Sequence, residues 1–247
     1  MIPTKGRAEW KMQTTLSALL ATGKRVTLVV SKEEAPSYRD LLCDRGRGSV
    51  GGLVKIVKCP VEGIGAVRYW ITRKMFRTER ILMLDDDLHF YQRPDMHRPY
   101  LLPAGAMDMR RMLLYIDIQL TPECPMVGIS SRVGNHDAAI AVRYNTRANC
   151  AFAYDLSVLR EADLRYRKMA AYENVDLTLR LLQSGRTNAV LYNYCWATTR
   201  KPNKLSLAMR RAAKQLQEYH PEFVTLHKGS PRIAWSKINA NSNSVAR

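Results

Sequence analysis

Short apolar runs alternate along the first half of the chain with segments whose apolar residues recur at helical spacing. The runs that predict strands are residues 2–4, 26–30, 54–57 and 81–84, and the segments that predict helices are 9–21, 35–43 and 64–76. Strands that alternate with helices pair in parallel, because each connection must cross back over the sheet. This half therefore predicts a mostly parallel sheet with helices on both faces.

The second half has a different order of elements. It predicts, in sequence, a helix over 104–119, strands over 126–130, 138–144 and 149–155, a helix over 174–184 that Gly185 ends, and a strand over 189–192. The short connection before residue 149 is typical of a hairpin rather than of a crossover. From about residue 198 the chain is basic and predicts one helix over 203–219. We therefore expect an α/β fold with a small antiparallel part and a basic helical C-terminal extension.

Three consecutive acidic residues, Asp85, Asp86 and Asp87, follow the strand predicted over 81–84. Crowded carboxylates repel one another unless a cation offsets the repulsion. The carboxyl end of a strand in an open α/β sheet is also where ligands bind. Carboxylate oxygens suit Mg²⁺ or Mn²⁺, ions that often bridge a protein to a diphosphate. The alternative is that one aspartate caps a following helix and the other two are solvated.

The composition is that of a globular protein. The 247 residues are 46% apolar, which is enough for one large domain or two small ones, and no apolar run reaches the length of a membrane span. The N-terminus lacks the apolar core of a signal peptide. The five cysteines are odd in number and contain no CxxC pair. This pattern indicates a reducing compartment, so we expect a cytoplasmic protein without membrane association.

The net charge indicates a polyanionic partner. The chain has 39 Lys and Arg against 22 Asp and Glu, a net charge of +17, with a pI near 9.9. A balance of this kind attracts polyanions, of which nucleic acid is the first candidate. The alternative is a basic surface that only keeps the protein soluble.

Four segments in this order resemble the GT-A-fold glycosyltransferases: Ile2–Arg7, Gly63–Arg68, Leu84–Asp87 and Tyr172–Leu177. The compact, basic form most resembles the bacteriophage TET/JBP-associated glycosyltransferases, whose members are thought to place sugars on hydroxymethylated pyrimidines in DNA. The resemblance implies a Rossmann-like GT-A domain over 1–195, with the basic extension 196–247 packed on it. It also implies metal-dependent transfer from a nucleotide-sugar, with UDP as the expected nucleotide, in the cytoplasm of a host cell.

The resemblance also implies the donor-site residues. Asp87 would bind Mn²⁺ or Mg²⁺ directly, Asp85 would lie near the ribose, the base or the metal, and Asp86 would contact the donor or the metal. The other residues expected to contact the donor are Thr4, Gly6, Arg7, Ser31 and Arg68. A guanidinium group suits phosphate oxygens, which is why the two arginines are included. Related enzymes often have an acidic residue where this chain has Ser31, so recognition of the nucleotide base stays open.

The helix that begins near Glu173 is expected to supply the catalytic base. An inverting transferase needs a carboxylate to take the proton of the acceptor hydroxyl. The family pattern is Glu-Asp, whose second residue is the usual base, but this chain has Asn174 there. Either Glu173 or Asp176 then takes the role, or the reaction follows another course and retains configuration. Alternatively, Asn174 caps the helix and Asp176 pairs only with Arg180.

Several residues are candidates to contact the acceptor or DNA. They are His136, in a polar turn, and the basic residues Arg200, Lys201, Lys204, Arg210 and Arg211. Exposed arginines bind phosphates without reading sequence. Two other functions remain open: a transferase whose acceptor is a glycan, and a catalytically inactive nucleic-acid-binding protein on the same scaffold. The pair Gly63 and Gly65 fits either a phosphate-binding helix N-terminus or a plain turn.

Overall fold

A computed structural model of the chain describes residues 1–43, 52–75, 80–95, 100–135, 140–199 and 205–238. Its strands are β1 (Ile2–Pro3), β2 (Val26–Ser31), β3 (Val54–Cys59), β4 (Arg80–Leu84), β5 (Leu88–Gln92), β6 (Leu102–Pro103), β7 (Met126–Ser131), β8 (Val142–Tyr144), β9 (Ala151–Asp155), β10 (Asn188–Thr198), β11 (Val224–His227) and β12 (Ser230–Ile233). Its α-helices are α1 (Thr14–Leu20), α2 (Ala35–Cys43), α3 (Ile64–Trp70), α4 (Ala106–Gln119), α5 (Leu156–Glu161), α6 (Glu173–Gln183) and α7 (Leu207–Tyr219).

The described strands form a three-stranded sheet, a seven-stranded sheet and a two-stranded hairpin. β1, β2 and β3 are parallel neighbours, and a larger sheet has the order β4-β9-β7-β10-β5-β6, with β8 also paired to β10. The two sheets meet at Met1, whose terminal amino group donates to Leu82 O at 2.7 Å and whose carbonyl accepts from Leu84 N at 3.0 Å. β7 and β10 are parallel, whereas β9 and β5 are antiparallel to their neighbours. The expected α/β fold with a parallel part and an antiparallel part is confirmed.

The central strands, such as β4, β7 and β9, are buried on both faces, which explains why they are continuous apolar runs. Along β4, Leu84 faces one apolar core, which also contains residues of α1, α2 and α4. Met83 faces a second core, to which α5 and α6 contribute. The same alternation occurs along β9, where Ala153 faces the first core and Phe152 the second. Helices therefore cover both faces of the sheet, as the strand–helix alternation predicts.

The local differences from the predicted elements have local causes. The predicted helix over 9–21 is a 3₁₀ turn at Trp10–Met12 followed by α1, and the predicted helix over 64–76 is α3 followed by a π-helical turn at Ile71–Met75. The strand β5 was not predicted, because its sequence Leu-His-Phe-Tyr-Gln carries polar residues directly after the three aspartates. β10 continues through Thr198, past residue 195, where the sequence places the end of the main domain.

The last described elements pack on α6. A third apolar core joins Val175 and Leu179 of α6 to Leu216 of α7 and to Phe223 and Val224 after it. β11 and β12 form a hairpin that closes this core. Within the ranges that the structure describes, no helix is long and apolar enough to cross a membrane.

Asp176 of α6 contacts the residue that follows α7 and two arginines. Its side chain is fully buried, and its carboxylate pairs with Arg167 at 2.9 Å, with Arg180 at 2.8 Å and with His220 Nε2 at 3.0 Å. Burial acts to raise the pKa of this carboxyl, but the hydrogen bond to His220 and the two guanidinium groups outweigh it, so the pKa is lowered. The residue expected as a possible base therefore joins α6, the segment before it and the residue that ends α7.

Replacement of this carboxylate tests its role in stability. We expect Asp176→Asn to lower the free energy of unfolding by about 3 kcal/mol at pH 7, because it leaves the largely buried Arg180 and the half-buried Arg167 without this counter-charge. A group whose pKa is lowered in the folded state stabilises at a pH above its unfolded value, usually near 3.8, and this contribution is lost as the pH falls. Urea denaturation of both proteins at pH 5 and pH 3 should therefore show a smaller difference at pH 3, which lies below the unfolded value. A difference that is unchanged or larger at pH 3 would contradict the assignment.

Candidate active site

The three aspartates form a tight turn between β4 and β5, so their side chains emerge at the carboxyl end of β4. The start of α1 holds this turn. Thr15 Oγ1 donates to Asp85 O at 2.6 Å and accepts from Leu88 N at 2.9 Å, and Thr14 Oγ1 donates to Leu88 O at 3.0 Å. The two threonines thus hydrogen-bond backbone groups on both sides of the turn.

Arg7 and Thr4 hold the second and third aspartates. Arg7 Nη1 lies 2.7 Å from Asp86 Oδ1 and 3.2 Å from Asp87 Oδ2, and Thr4 Oγ1 donates to Asp86 Oδ2 at 2.5 Å. Burial raises the pKa of Asp86 to about 6, although the Thr4 hydrogen bond and Arg7 act in the opposite direction. Arg7 was expected to contact the phosphates of a donor. Here its guanidinium group offsets the repulsion between aspartates.

Arg68 holds the first aspartate and joins it to α6. Its Nη2 lies 2.8 Å from Asp85 Oδ1, and its Nη1 is ion-paired with the carboxylate of Glu173. Burial acts to lower the pKa of Arg68, but Asp85 and Glu173 outweigh it and raise the pKa. The Arg68 side chain is only 6% exposed, against 32% for Asp85. Arg68, which the sequence predicts to contact the nucleotide, is paired here with two carboxylates.

The loop after β1 is held in place by its own contacts. Gly6 has a φ of +67°, a conformation that favours glycine, and its N–H donates to Glu34 Oε1 at 2.7 Å. Gln13 Nε2 donates to Arg7 O at 2.8 Å, and the Tyr38 hydroxyl lies 2.8 Å from Thr4 Oγ1. The structure therefore brings Thr4, Gly6 and Arg7 to the aspartates, as the sequence predicts.

An open cleft of about 430 Å³ lies beside Asp85 and Asp86, within the size range of small-molecule sites. It lies between the carboxyl ends of β1 and β2 and the start of α3. The residues that line it are Pro3, Thr4, Lys5, Val29, Val30, Ser31, Cys59, Val61, Glu62, Gly63, Ile64, Val67, Asp85 and Asp86. Arg7 and Asp87 line a neighbouring depression together with His89. Ser31 therefore shares the cleft with the first two aspartates, whereas Asp87 faces the space next to it.

The two glycines before Arg68 have different roles. Gly63 lines the cleft with a φ of +86° directly before α3. A Cβ added at Gly65 would lie 2.7 Å from Met169 O and 2.9 Å from Arg167 O. Gly65 thus allows close packing of α3 on the segment before α6, a role that neither sequence-based interpretation included.

The donor set at the turn fits a divalent cation that a ligand helps to coordinate. In the described part of the chain, no three His, Cys, Asp or Glu side chains are grouped as a complete metal site. Mg²⁺, however, is usually bound by one or two carboxylates together with substrate phosphates. Asp85 and Asp87 offer hard oxygens beside the cleft, and Thr198 Oγ1 donates to Asp87 Oδ2 at 2.8 Å. The residues therefore fit a cation shared with a diphosphate.

Asn174 follows Glu173 in α6 and does not cap the helix. Tyr172 occupies the capping position with a φ of +63°. The Asn174 amide donates to Asn149 Oδ1 at 2.9 Å and to Ala148 O at 3.2 Å. Asn174 therefore anchors the segment before β9, and Glu173 is the acidic residue of α6 that is linked to the aspartate turn.

Two residues near the turn have no sequence signal. The Cys150 carbonyl accepts from Asp85 N at 2.9 Å, and burial and the nearby Asp85 raise the pKa of its thiol. Thr198 reaches Asp87 because β10 pairs antiparallel with β5, with Thr198 opposite Leu88. Each contact depends on strand register across the sheet, which local sequence does not reveal. Of the residues expected to contact the acceptor, Arg210 and Arg211 are exposed on α7, whereas His136, Arg200, Lys201 and Lys204 lie outside the described residues.

Solved structures that resemble this one are glycosyltransferases. The mannosyltransferase PcManGT from Pyrobaculum calidifontis, in complex with GDP-Man and Mn²⁺, has a TM-score of 0.56 at 13% identity, over 88% of this chain and 61% of that one. GalNAc-T7 with UDP, GalNAc and Mn²⁺ has a TM-score of 0.55 at 13% identity, over 88% and 46%. TarS 1–349 of S. aureus has a TM-score of 0.50 at 15% identity, over 87% and 64%. The chain thus spans about half to two thirds of these proteins, and the likeness establishes the GT-A fold.

The comparison with family models gives a more specific result. No curated protein matches the chain. The model of the TET-associated glycosyltransferases matches residues 1–204, which include the aspartate turn, both arginines and α6. This chain belongs to the TET-associated glycosyltransferase family.

Proposed function

We propose that this chain is a metal-dependent glycosyltransferase that moves a sugar from a nucleotide-sugar, with UDP as the nucleotide, to a hydroxymethylated pyrimidine in DNA. The observation that carries the proposal is the cluster of Asp85, Asp86 and Asp87 at the edge of a cleft of about 430 Å³. Two of the similar structures, GalNAc-T7 and PcManGT, are complexes with UDP or GDP-Man and Mn²⁺. These complexes support a nucleotide-sugar donor and a metal ion for this chain.

The charge of the cluster supports the metal. Four carboxylates lie together here, those of Asp85, Asp86, Asp87 and Glu173, and Arg7 and Arg68 are ion-paired with them. The repulsion among carboxylates this close favours a further cation at the edge of the cleft. A divalent ion held by Asp85 and Asp87 would supply Lewis-acid stabilisation of the charge that develops on the leaving diphosphate. Arg7 and Arg68 hold the carboxylates in position for it.

The wall of the cleft supports a nucleoside as the other part of the donor. Val29, Val61 and Val67 give it an apolar side, and Ser31 and Thr4 give it hydroxyl groups. Sites for small molecules commonly combine apolar walls with a few polar groups that fix orientation. In the proposal, the ribose and base lie along this wall and the diphosphate points to the aspartates.

The proposal assigns proton removal to Glu173 rather than to Asp176. Asp176 bonds to Arg167, Arg180 and His220, and these contacts hold α7 and the segment before α6, so it supports the fold. Glu173 is linked through Arg68 to Asp85, which borders the donor cleft. A carboxylate in that position takes the proton of the acceptor hydroxyl as the hydroxyl attacks the sugar, which gives inversion at the anomeric carbon.

The acceptor assignment rests on family membership and charge. The family is described by its association with TET, and the chain has a net charge of +17. A cavity of about 310 Å³ borders Asn149, which bonds to Asn174 at the start of α6, and Tyr192 and Arg147 also line it. Asn149 and Asn174 connect this cavity to the start of α6, and in the proposal it receives a pyrimidine taken out of the base stack.

Replacement of the proposed metal ligand tests the donor side. We expect Asp87→Asn to lower sugar transfer by about 100-fold or more, because the developing charge on the diphosphate loses its stabilisation. Duplex DNA binding should be unchanged. Transfer is measured with Mn²⁺ at saturating donor, and Asp117→Asn, which removes an exposed carboxylate of α4, is the matched control. Full activity of Asp87→Asn would contradict the metal assignment.

Replacement of the proposed base tests the acceptor chemistry. Glu173→Gln keeps the hydrogen bond to Arg68 but cannot take a proton, so transfer should fall by about 100-fold or more, with little change in the KM for the donor. Asp176→Asn is the control on the same helix and should change the melting temperature more than the rate. An unchanged rate of sugar transfer in Glu173→Gln would reject Glu173 as the base.

Mass spectrometry tests the reaction itself. Duplex DNA that contains 5-hydroxymethylcytosine or 5-hydroxymethyluracil is incubated with the protein, Mn²⁺ and one of several nucleotide sugars. The mass of one hexose or related sugar should appear on the modified base, with UDP as product, and not on unmodified DNA. Transfer to a glycan acceptor but not to modified DNA would overturn the acceptor assignment. Donor binding without hydrolysis or transfer would identify a catalytically inactive protein.

A further inference from the structure

A second polar cavity, of about 470 Å³, lies outside the donor cleft. We call it the α7 groove, because Gln215 and Tyr219 of α7 form one side of it. The other side is the segment 165–169, which precedes α6, and Tyr69 of α3. None of these residues belongs to the proposed donor site.

Three cations of one short segment line the α7 groove: Arg165, Arg167 and Lys168. Tyr166, between them, points inward, where its hydroxyl contacts that of Tyr154. Arg165 and Arg167, on either side of Tyr166, line the groove. The carboxylates beside them are Asp163, which lies 3.8 Å from Arg165 Nη2 and also contacts Arg73, and Asp176, which pairs with Arg167 and Arg180. The cations outnumber these two carboxylates, and the groove is positively charged.

The cations are held in place on aromatic rings. The Arg167 guanidinium lies 4.0 Å from the ring centroid of Tyr219 and is also ion-paired with Asp176 at 2.9 Å, whereas 38% of its side chain stays exposed. Lys168 Nζ lies 5.9 Å from the ring centroid of Tyr69. A cation fixed in this way loses little conformational freedom when it binds an anion.

One face of α7 extends the groove. Arg211, Gln215 and Tyr219 are spaced four residues apart, so they form a row along the helix. Gln215 Nε2 donates to the Tyr219 hydroxyl at 2.9 Å, and Arg211 is exposed at the end of the row. Arg210 lies on a different face: its side chain covers Gly229 in the hairpin of β11 and β12. The two adjacent arginines therefore differ in position although both are exposed.

We propose that the α7 groove binds the phosphate backbone of duplex DNA, so that it holds the acceptor while the modified base enters the active site. The groove offers guanidinium, ammonium, amide and hydroxyl donors, which are the groups that proteins use on phosphate oxygens. Its cationic segment leads directly into Glu173, at the start of α6. The inference rests on the proposed function for the identity of the polyanion as DNA. It assigns DNA affinity to a surface that is separate from the chemistry.

The test uses the variants Arg211→Ala and Lys168→Ala and the double variant that combines them. Arg210→Ala is the control. Binding of an unmodified, fluorescently labelled duplex is measured by anisotropy from 50 to 300 mM NaCl (about a Debye length of 14 to 6 Å) without donor or metal. Melting temperatures check that each variant is folded. We expect the double variant to bind about 10-fold more weakly at low salt, with a salt slope smaller by about 2 than that of the unmodified protein, because each lost phosphate contact reduces the slope by about 1. Arg210→Ala should change the affinity less than 2-fold.

Equal losses for Arg210→Ala and Arg211→Ala would overturn the proposal, because general charge rather than the groove would then determine affinity. An unchanged DNA affinity of the double variant would also overturn the proposal. The same holds if the double variant binds DNA normally and loses only its binding to phosphatidylglycerol vesicles. Failure of the proposed function gives a different result. In that case the variants lose DNA binding as expected, but the unmodified protein transfers no sugar to hydroxymethylated DNA.

Discussion

The charge balance at the turn between β4 and β5 is the constraint on which the site depends. Three aspartates in succession at a sheet edge repel one another, and the fold brings an arginine to each side of them. Arg7 comes from the loop after β1 and contacts Asp86 and Asp87, whereas Arg68 comes from α3 and contacts Asp85. Because neither arginine is close to the turn in sequence, the site forms only when β1, α3 and β4 are assembled. The site is thus a product of the whole first half of the fold.

Arg68 connects the charge balance at the turn to the helix α6. The same guanidinium group that pairs with Asp85 also pairs with Glu173, so the edge of the donor cleft and the start of α6 share one buried cation. On the same helix, Asp176 is turned toward α7 and bonds to His220 and two arginines. The helix α6 therefore has one acidic residue that pairs with Arg68 beside the aspartate turn and one that holds the C-terminal elements in place. Residues three positions apart lie on the same face of a helix, so the sequence alone could not show which of the two is the base.

Much of the fold could be predicted from sequence because both faces of the sheet are buried, which makes strands such as β2 and β4 continuous apolar runs. The strand β5 was missed because it carries polar residues next to the aspartates. In the site, Thr4, Gly6 and Ser31 could be located by their positions after predicted strands. The partners of Arg7 and Arg68 could not, because an arginine near a phosphate site and an arginine paired with carboxylates have the same local sequence. Thr198 could not be found at all, because it reaches Asp87 only through the register of β10 on β5.

The central claim is that the aspartate turn, already partly neutralised by Arg7 and Arg68, holds a divalent cation together with a diphosphate. Titration calorimetry of Mn²⁺ in the presence and absence of UDP tests this claim directly. We expect weak Mn²⁺ binding to the protein alone and at least about 10-fold tighter binding with UDP present, because the phosphate oxygens complete the ligand set. Linkage requires UDP to bind more tightly with Mn²⁺ by the same factor. Equal Mn²⁺ affinity with and without UDP would contradict the account.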